Sequence, residues 1–114
     1  ELLDIWRAEG RGELEGVRIL KPESLAEMTR DQLQGIKSPL QVYGFGLGVA
    51  VRQKAEGGSA PGSVGEYNWS GVAGTTFWVD PKEGLIAILM TQGQNQRNHT
   101  RTLFRKQVYG ALAD

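Results

Sequence analysis

The chain holds five serines, one histidine and no cysteine, and these bound the covalent chemistry open to it. A Ser-x-x-Lys arrangement needs a lysine three residues after the nucleophile, and none of Ser24, Ser38, Ser59, Ser63 or Ser70 has one. The Gly-x-Ser-x-Gly elbow is missing as well. His99 stands between Asn98 and Thr100, with no acid or serine at a meaningful spacing, and reads as a surface or capping residue. Zero Cys excludes thiolate nucleophiles, disulfides and Cys-ligated zinc. A single His builds no metal site, so neither a metal nor a cofactor is expected. Two carboxylate pairs, Glu13 with Glu15 and Asp80 with Glu83, read as solvated charges, the first on an extended segment and the second in a turn. Gly44-Phe45-Gly46-Leu47-Gly48 resembles a phosphate loop only superficially, since no Lys or helix start follows it. What remains is Trp69-Ser70-Gly71-Val72-Ala73-Gly74, whose small residues leave a strand's backbone open to a ligand or another element. On residue chemistry alone the same stretch is a strand with one buried Trp and a small-residue kink.

The elements that must position this segment are legible around it. Thr75 to Val79 and Leu85 to Met90 are β-branched, aromatic and aliphatic runs joined by Asp80-Pro81-Lys82-Glu83-Gly84. Pro81 presets φ for an early turn position, Asp80 can accept from the backbone just ahead, and Gly84 can take positive φ, so the stretch is a β-hairpin. Tyr43 to Arg52 reads as one strand, with Tyr43, Phe45, Leu47, Val49 and Val51 on one side and Gly44, Gly46, Gly48 and Ala50 on the other. Three glycines on one face predict that something presses close there. Lys54 to Gly65 is a flexible loop by composition, a connection or a lid.

Helices flank these strands. Residues 1 to 9 read as the end of an amphipathic helix closed by Gly10 and Gly12. Glu13 to Leu20 follows, with a turn at Gly16 and Val17, Ile19 and Leu20 as buried anchors. Pro22 opens a helix at its first position, with Leu25, Met28 and Leu33 inward and Gly35 to Pro39 as its end. At the C-terminus, Leu103, Phe104, Val108, Ala111 and Leu112 form an apolar stripe, with Arg101, Arg105 and Lys106 outside it and Asn98 or Thr100 as cap. The order predicts an α+β fold: an antiparallel sheet with N- and C-terminal helices packed on it.

At 114 residues the chain amounts to one small domain. Thirteen Lys and Arg balance thirteen Asp and Glu, with no basic face, which argues against nucleic acid and anionic membrane. No apolar run approaches a membrane span, and the composition fits bacterial cytoplasm and periplasm alike. Residue 1 is Glu, the first Met is Met28, and helical spacing begins at Leu2 without a cap. The whole of residues 1–114 therefore reads as the C-terminal segment of a longer protein.

Four blocks in order carry a resemblance. Gly12 to Leu20, Tyr43 to Gly48, Glu66-Tyr67-Asn68-Trp69-Ser70-Gly71, and Phe77-Trp78-Val79-Asp80-Pro81 resemble the C-terminal part of the serine β-lactamase-like hydrolases, the branch of class C β-lactamases, penicillin-binding proteins and family VIII carboxylesterases. In that family a Ser-x-x-Lys nucleophile and a Tyr-x-Asn element come from earlier in the chain, and a third motif, Lys-Thr-Gly or its variants His-x-Gly and Trp-x-Gly, lies on the strand beside the active site. Trp69-Ser70-Gly71 matches the Trp-x-Gly variant. The resemblance implies that Gly71 lets substrate approach, that Val72 offers a backbone N–H as half of an oxyanion hole, and that Ser70 borders the acyl pocket while Trp69 walls it. Trp in place of Lys removes the cation that meets a β-lactam carboxylate, which tilts the expectation from β-lactam towards small ester substrates. Tyr67-Asn68 is adjacent and does not stand in for Tyr-x-Asn. Without a serine activated by a neighbouring base, this segment alone is not expected to turn over. Its expected partner is the N-terminal remainder of its own chain, bearing Ser-x-x-Lys and Tyr-x-Asn. Two alternatives stand beside this reading: a non-catalytic binding or interaction module with the same sheet, and self-association through open strand edges.

Overall fold

The computed structural model describes residues 13–112, so the helix expected over residues 1 to 9 and its Gly10 and Gly12 stop lie outside it. A two-stranded ribbon comes first, β1 (Glu13–Leu14) with β2 (Val17–Arg18), turning through Glu15 and Gly16 at positive φ. Val17 and Ile19, expected as buried anchors, are exposed, and Leu20 is half-buried. Helix α1 (Pro22–Met28) begins at its proline as expected, but it ends at Met28 with Thr29 as C-cap, well short of Gly35.

The rest is one five-stranded antiparallel sheet in chain order: β3 (Tyr43–Phe45), β4 (Ala50–Arg52), β5 (Tyr67–Ser70), β6 (Gly74–Asp80) and β7 (Leu85–Gln92). A short 3-10 turn, Gln94–Gln96, leads into α2 (Arg97–Leu112). This is the α+β arrangement the sequence implies, with the C-terminal helix packed on the sheet. The single strand expected over Tyr43 to Arg52 is two. Gly46 donates to Val49 O at 2.8 Å and Gly48 takes φ +91°, so the chain doubles back and Phe45 pairs with Ala50. Alternating glycine mimics strand periodicity and hides the tight turn. At Gly44 and Gly46 the bare face is met as expected, by the end of α1 and the segment after it, while Gly48 has open space around it. A Cβ on Gly44 would land on the Asp31 carboxylate and one on Gly46 on Met28 O.

Residues opposite each other in an antiparallel pair share a face. Tyr67, Val79 and Ile86 therefore line one side, with Trp69, Phe77 and Ile88 beyond them. Val49, Val51, Tyr67 and Val79 form the core there, with Phe77 and Ile86 against it. The other face carries α2. Trp78 meets Phe104 edge to face at 5.6 Å and stacks on Tyr109 at 6.1 Å, while the Arg105 guanidinium lies 4.5 Å above the Trp78 ring.

That contact corrects the expected orientation of α2. Arg105 is its buried residue, and Leu103 and Leu112 are exposed. Arg97, Arg101, Arg105 and Tyr109 recur every four residues and face the sheet, where fixed acceptors wait for them.

Candidate active site

The hairpin of β5 and β6 holds Trp69-Ser70-Gly71 at its rim. Gly71 N–H donates to Thr75 O at 2.9 Å, which makes Gly71 and Thr75 a hydrogen-bonded pair. Ser70, opposite Thr76, is then the non-bonded kind, and its hydroxyl lies 2.9 Å from the Thr76 hydroxyl. Its backbone N–H and C=O therefore point away from β6. On that side β4 pairs with Tyr67 and Asn68 and goes no further. Ser70 thus offers an open strand edge, and a cleft of about 400 Å³ lies along it, lined by Leu40, Tyr43, Ala50, Asn68, Trp69 and Ser70.

Gly71 and Val72 lie in the turn between the strands. Gly71 O accepts from Gly74 N–H at 3.2 Å, and every peptide in the described chain is trans. The Val72 N–H belongs to the same peptide unit as Gly71 O and so points the opposite way, towards the edge that Ser70 leaves open. Among the described residues it meets no acceptor. A Cβ on Gly71 would strike the Thr75 hydroxyl, so any larger residue there would have to turn the Thr75 side chain.

Trp69 is 45% exposed, not the buried Trp that residue chemistry alone implies. It meets Phe45 edge to face at 5.3 Å, and it stands between the cleft along Ser70 and a second, more apolar one of about 440 Å³ lined by Gly71, Thr75, Phe77, Ile88 and Met90. The four residues singled out in the sequence thus stand together at one rim. His99 is exposed on α2.

Sequence reasoning missed the charged layer behind the site. Glu66, one residue before β5, is fully buried. Its carboxylate accepts from Arg105 at 2.6 and 2.7 Å, from the Tyr43 hydroxyl at 3.1 Å and from Asn68 at 3.3 Å, and the Tyr109 oxygen, whose proton goes to Asp80, lies 3.3 Å away. Arg52 ties the Lys54 to Gly65 loop down by donating to the carbonyls of Lys54, Ala55 and Ala60. Asp80, expected to be solvated, is buried too. Its carboxylate accepts from Tyr109 at 2.6 Å and from the N–H groups of Ser63, Lys82 and Glu83. Burial raises its pKa, but these hydrogen bonds outweigh that and hold it below the ordinary carboxylate value. Burial and the bond to Asp80 push the Tyr109 hydroxyl well up. Burial likewise raises Tyr43, against the nearby Arg105. Paired aromatic hydroxyls near arginines were the available sequence signal, but the partners lie 39 and 62 residues apart.

Among the described residues no cluster of three His, Asp or Glu could hold a metal, and no helix is long and apolar enough to cross a membrane.

The sequence profile of the Beta-lactamase family matches residues 4–110. The chain belongs to the Beta-lactamase family. Two Mycobacterium tuberculosis proteins, Uncharacterized protein MT1414 of strain CDC 1551 / Oshkosh and Protein Rv1367c of strain ATCC 25618 / H37Rv, are each 34% identical over 94 residues. Those matches cover 73% of this chain and 23% of each relative, so this Beta-lactamase family chain corresponds to under a quarter of their length. Among solved structures, EstCE1, a hydrolase with promiscuous acyltransferase activity, superposes with a TM-score of 0.72 at 24% identity. The likeness covers 94% of this chain and 28% of EstCE1, and it shows that the two share this part of the fold.

Proposed function

We propose that this segment is the C-terminal part of a serine hydrolase that acts through an acyl-enzyme on small esters, with a nucleophile supplied by sequence outside these 114 residues. The observation that carries the reading is the open edge at Ser70, beside which the Val72 N–H points into free space. An acyl group laid along that edge would place its carbonyl oxygen against the Val72 N–H. The second donor would be the N–H of the nucleophilic serine. Two fixed N–H donors aimed at a developing oxyanion stabilise the tetrahedral intermediate without reorganising, and one such donor is worth about 3 kcal/mol. In this reading Val72 is the backbone oxyanion donor, Ser70 and Gly71 line the path of the acyl group, and Trp69 walls the pocket.

Trp69 supplies no positive charge for a substrate carboxylate, which favours a neutral ester over a β-lactam. Membership of the Beta-lactamase family supports the hydrolase class, and the fold shared with EstCE1 agrees with it. The test is hydrolysis of a neutral, activated short-chain ester by the full-length polypeptide, together with labelling by a fluorophosphonate. Turnover with one serine labelled per chain is expected. A full-length protein that does neither would instead be a binding module built on this sheet.

A further inference from the structure

The turn that carries Val72 is held from behind by the C-terminal helix. Arg101 Nη2 donates to Gly71 O and, at 3.1 Å, to Thr75 O, while its Nε donates to Gly74 O at 3.2 Å. Arg97 Nη1 donates to Val72 O at 3.0 Å. Two side chains one helical turn apart thus hold the carbonyls of Gly71, Val72, Gly74 and Thr75.

The carbonyl of Gly71 matters most, because it shares a rigid planar unit with the Val72 N–H. Apart from Arg101, the only bond on that oxygen among the described residues is the 3.2 Å one from Gly74 N–H, and the unit lies between a glycine and a solvent-exposed residue, so the turn alone holds it weakly. Fixing the oxygen on the helix side fixes the hydrogen on the cleft side. A planar guanidinium is suited to this, since it presents several donors in one rigid fork and keeps its charge.

We infer that Arg101 is a positioning residue for the reaction, setting the Val72 N–H towards the substrate oxyanion by anchoring the Gly71 carbonyl from the opposite side of the turn. This rests on the hydrolase reading above and deepens it. Arg101 acts through the peptide and does not touch the reacting atoms.

The test compares R101M and R101K with the unsubstituted full-length protein on a neutral p-nitrophenyl ester, which offers no carboxylate for a cation to bind. Loss of a well-placed oxyanion donor costs about 10²- to 10³-fold in kcat, so partial misplacement in R101M should cost at least about tenfold. KM should stay within about threefold, and fluorophosphonate labelling should slow in step with kcat. R101K, with one ammonium in place of a fork, should fall between the two, and it carries the test should R101M fail to fold. A kcat within twofold of the unsubstituted protein for the folded variant overturns the assignment while the hydrolase reading stands. A rise in KM at unchanged kcat overturns it too, and makes Arg101 a substrate contact. An unsubstituted protein without activity or labelling overturns the functional reading, and this assignment with it.

Discussion

Arg105 Nη1 lies 2.6 Å from Glu66 Oε2, and the carboxylate it meets is fully buried. The pair joins α2 to the strand that carries the candidate site, 39 residues apart in sequence. Breaking a buried ion pair by removing one partner leaves the other charge without compensation, at a cost of roughly 3–5 kcal/mol. Arg105→Met should therefore destabilise the fold by about that much in denaturant unfolding. Combining it with Glu66→Gln should cost less than the two single changes added together. Strict additivity would mean that the two side chains are not coupled.

How much of this was legible follows from the range of each signal. The hairpin of β6 and β7 was readable because its β-branched, aromatic and aliphatic runs and its turn chemistry lie within one short stretch, and Asp80 and Gly84 do what that chemistry asks. The rim of Trp69 to Val72 was legible as a pattern of small residues. The face of α2 was not. Its sequence favours an apolar stripe as the inward face because arginine ordinarily seeks water, yet Arg101 and Arg105 find backbone carbonyls and a buried glutamate instead. Local sequence cannot announce a partner contributed by a distant strand. Glu66 and Asp80 escaped for the same reason.

Glycines 46 and 48 look alike in sequence and should behave differently on substitution. Gly46→Ala would drive a methyl into Met28 O, a backbone atom, and within 3.2 Å of Arg30 O. Overpacking of this kind costs roughly 1–3 kcal/mol. Gly48 has open space around it but sits at φ +91°. Gly48→Asn should cost less than Gly48→Val, since Asn tolerates the left-handed region better than a β-branched residue. Thermal unfolding of the three variants ranks them. Equal costs for the two positions would show that the β3–β4 turn is not built as described.

Asp80 gives the fold an acid-side sensitivity. Its folded-state pKa lies below the ordinary value of 3.8. The stability it contributes is therefore present above that value and is lost as pH falls through the lowered folded one. Asp80→Asn should lower stability at neutral pH and flatten its decline on the acid side. Denaturant midpoints measured from pH 6 down to pH 2 would check this. A decline as steep as the parent's would assign the acid sensitivity to other carboxylates.

Trp69 sets the chemical character of the rim, and replacing it should change substrate preference as well as stability. Its edge-to-face contact with Phe45 is worth roughly 0.5–1.5 kcal/mol, so Trp69→Lys should lower stability by about that amount. The new ammonium would stand beside Ser70 and the open strand edge, where a substrate carboxylate could meet it. A hydrogen bond to a charged group contributes about 1.5–3 kcal/mol, equivalent to roughly tenfold or more. Relative to a neutral ester, kcat/KM of the full-length variant for a carboxylate-bearing β-lactam should therefore rise by at least about tenfold. Measuring both substrates on the same preparation cancels differences in folded fraction. A ratio that does not move would mean that the Trp69 position does not face the substrate's charged end.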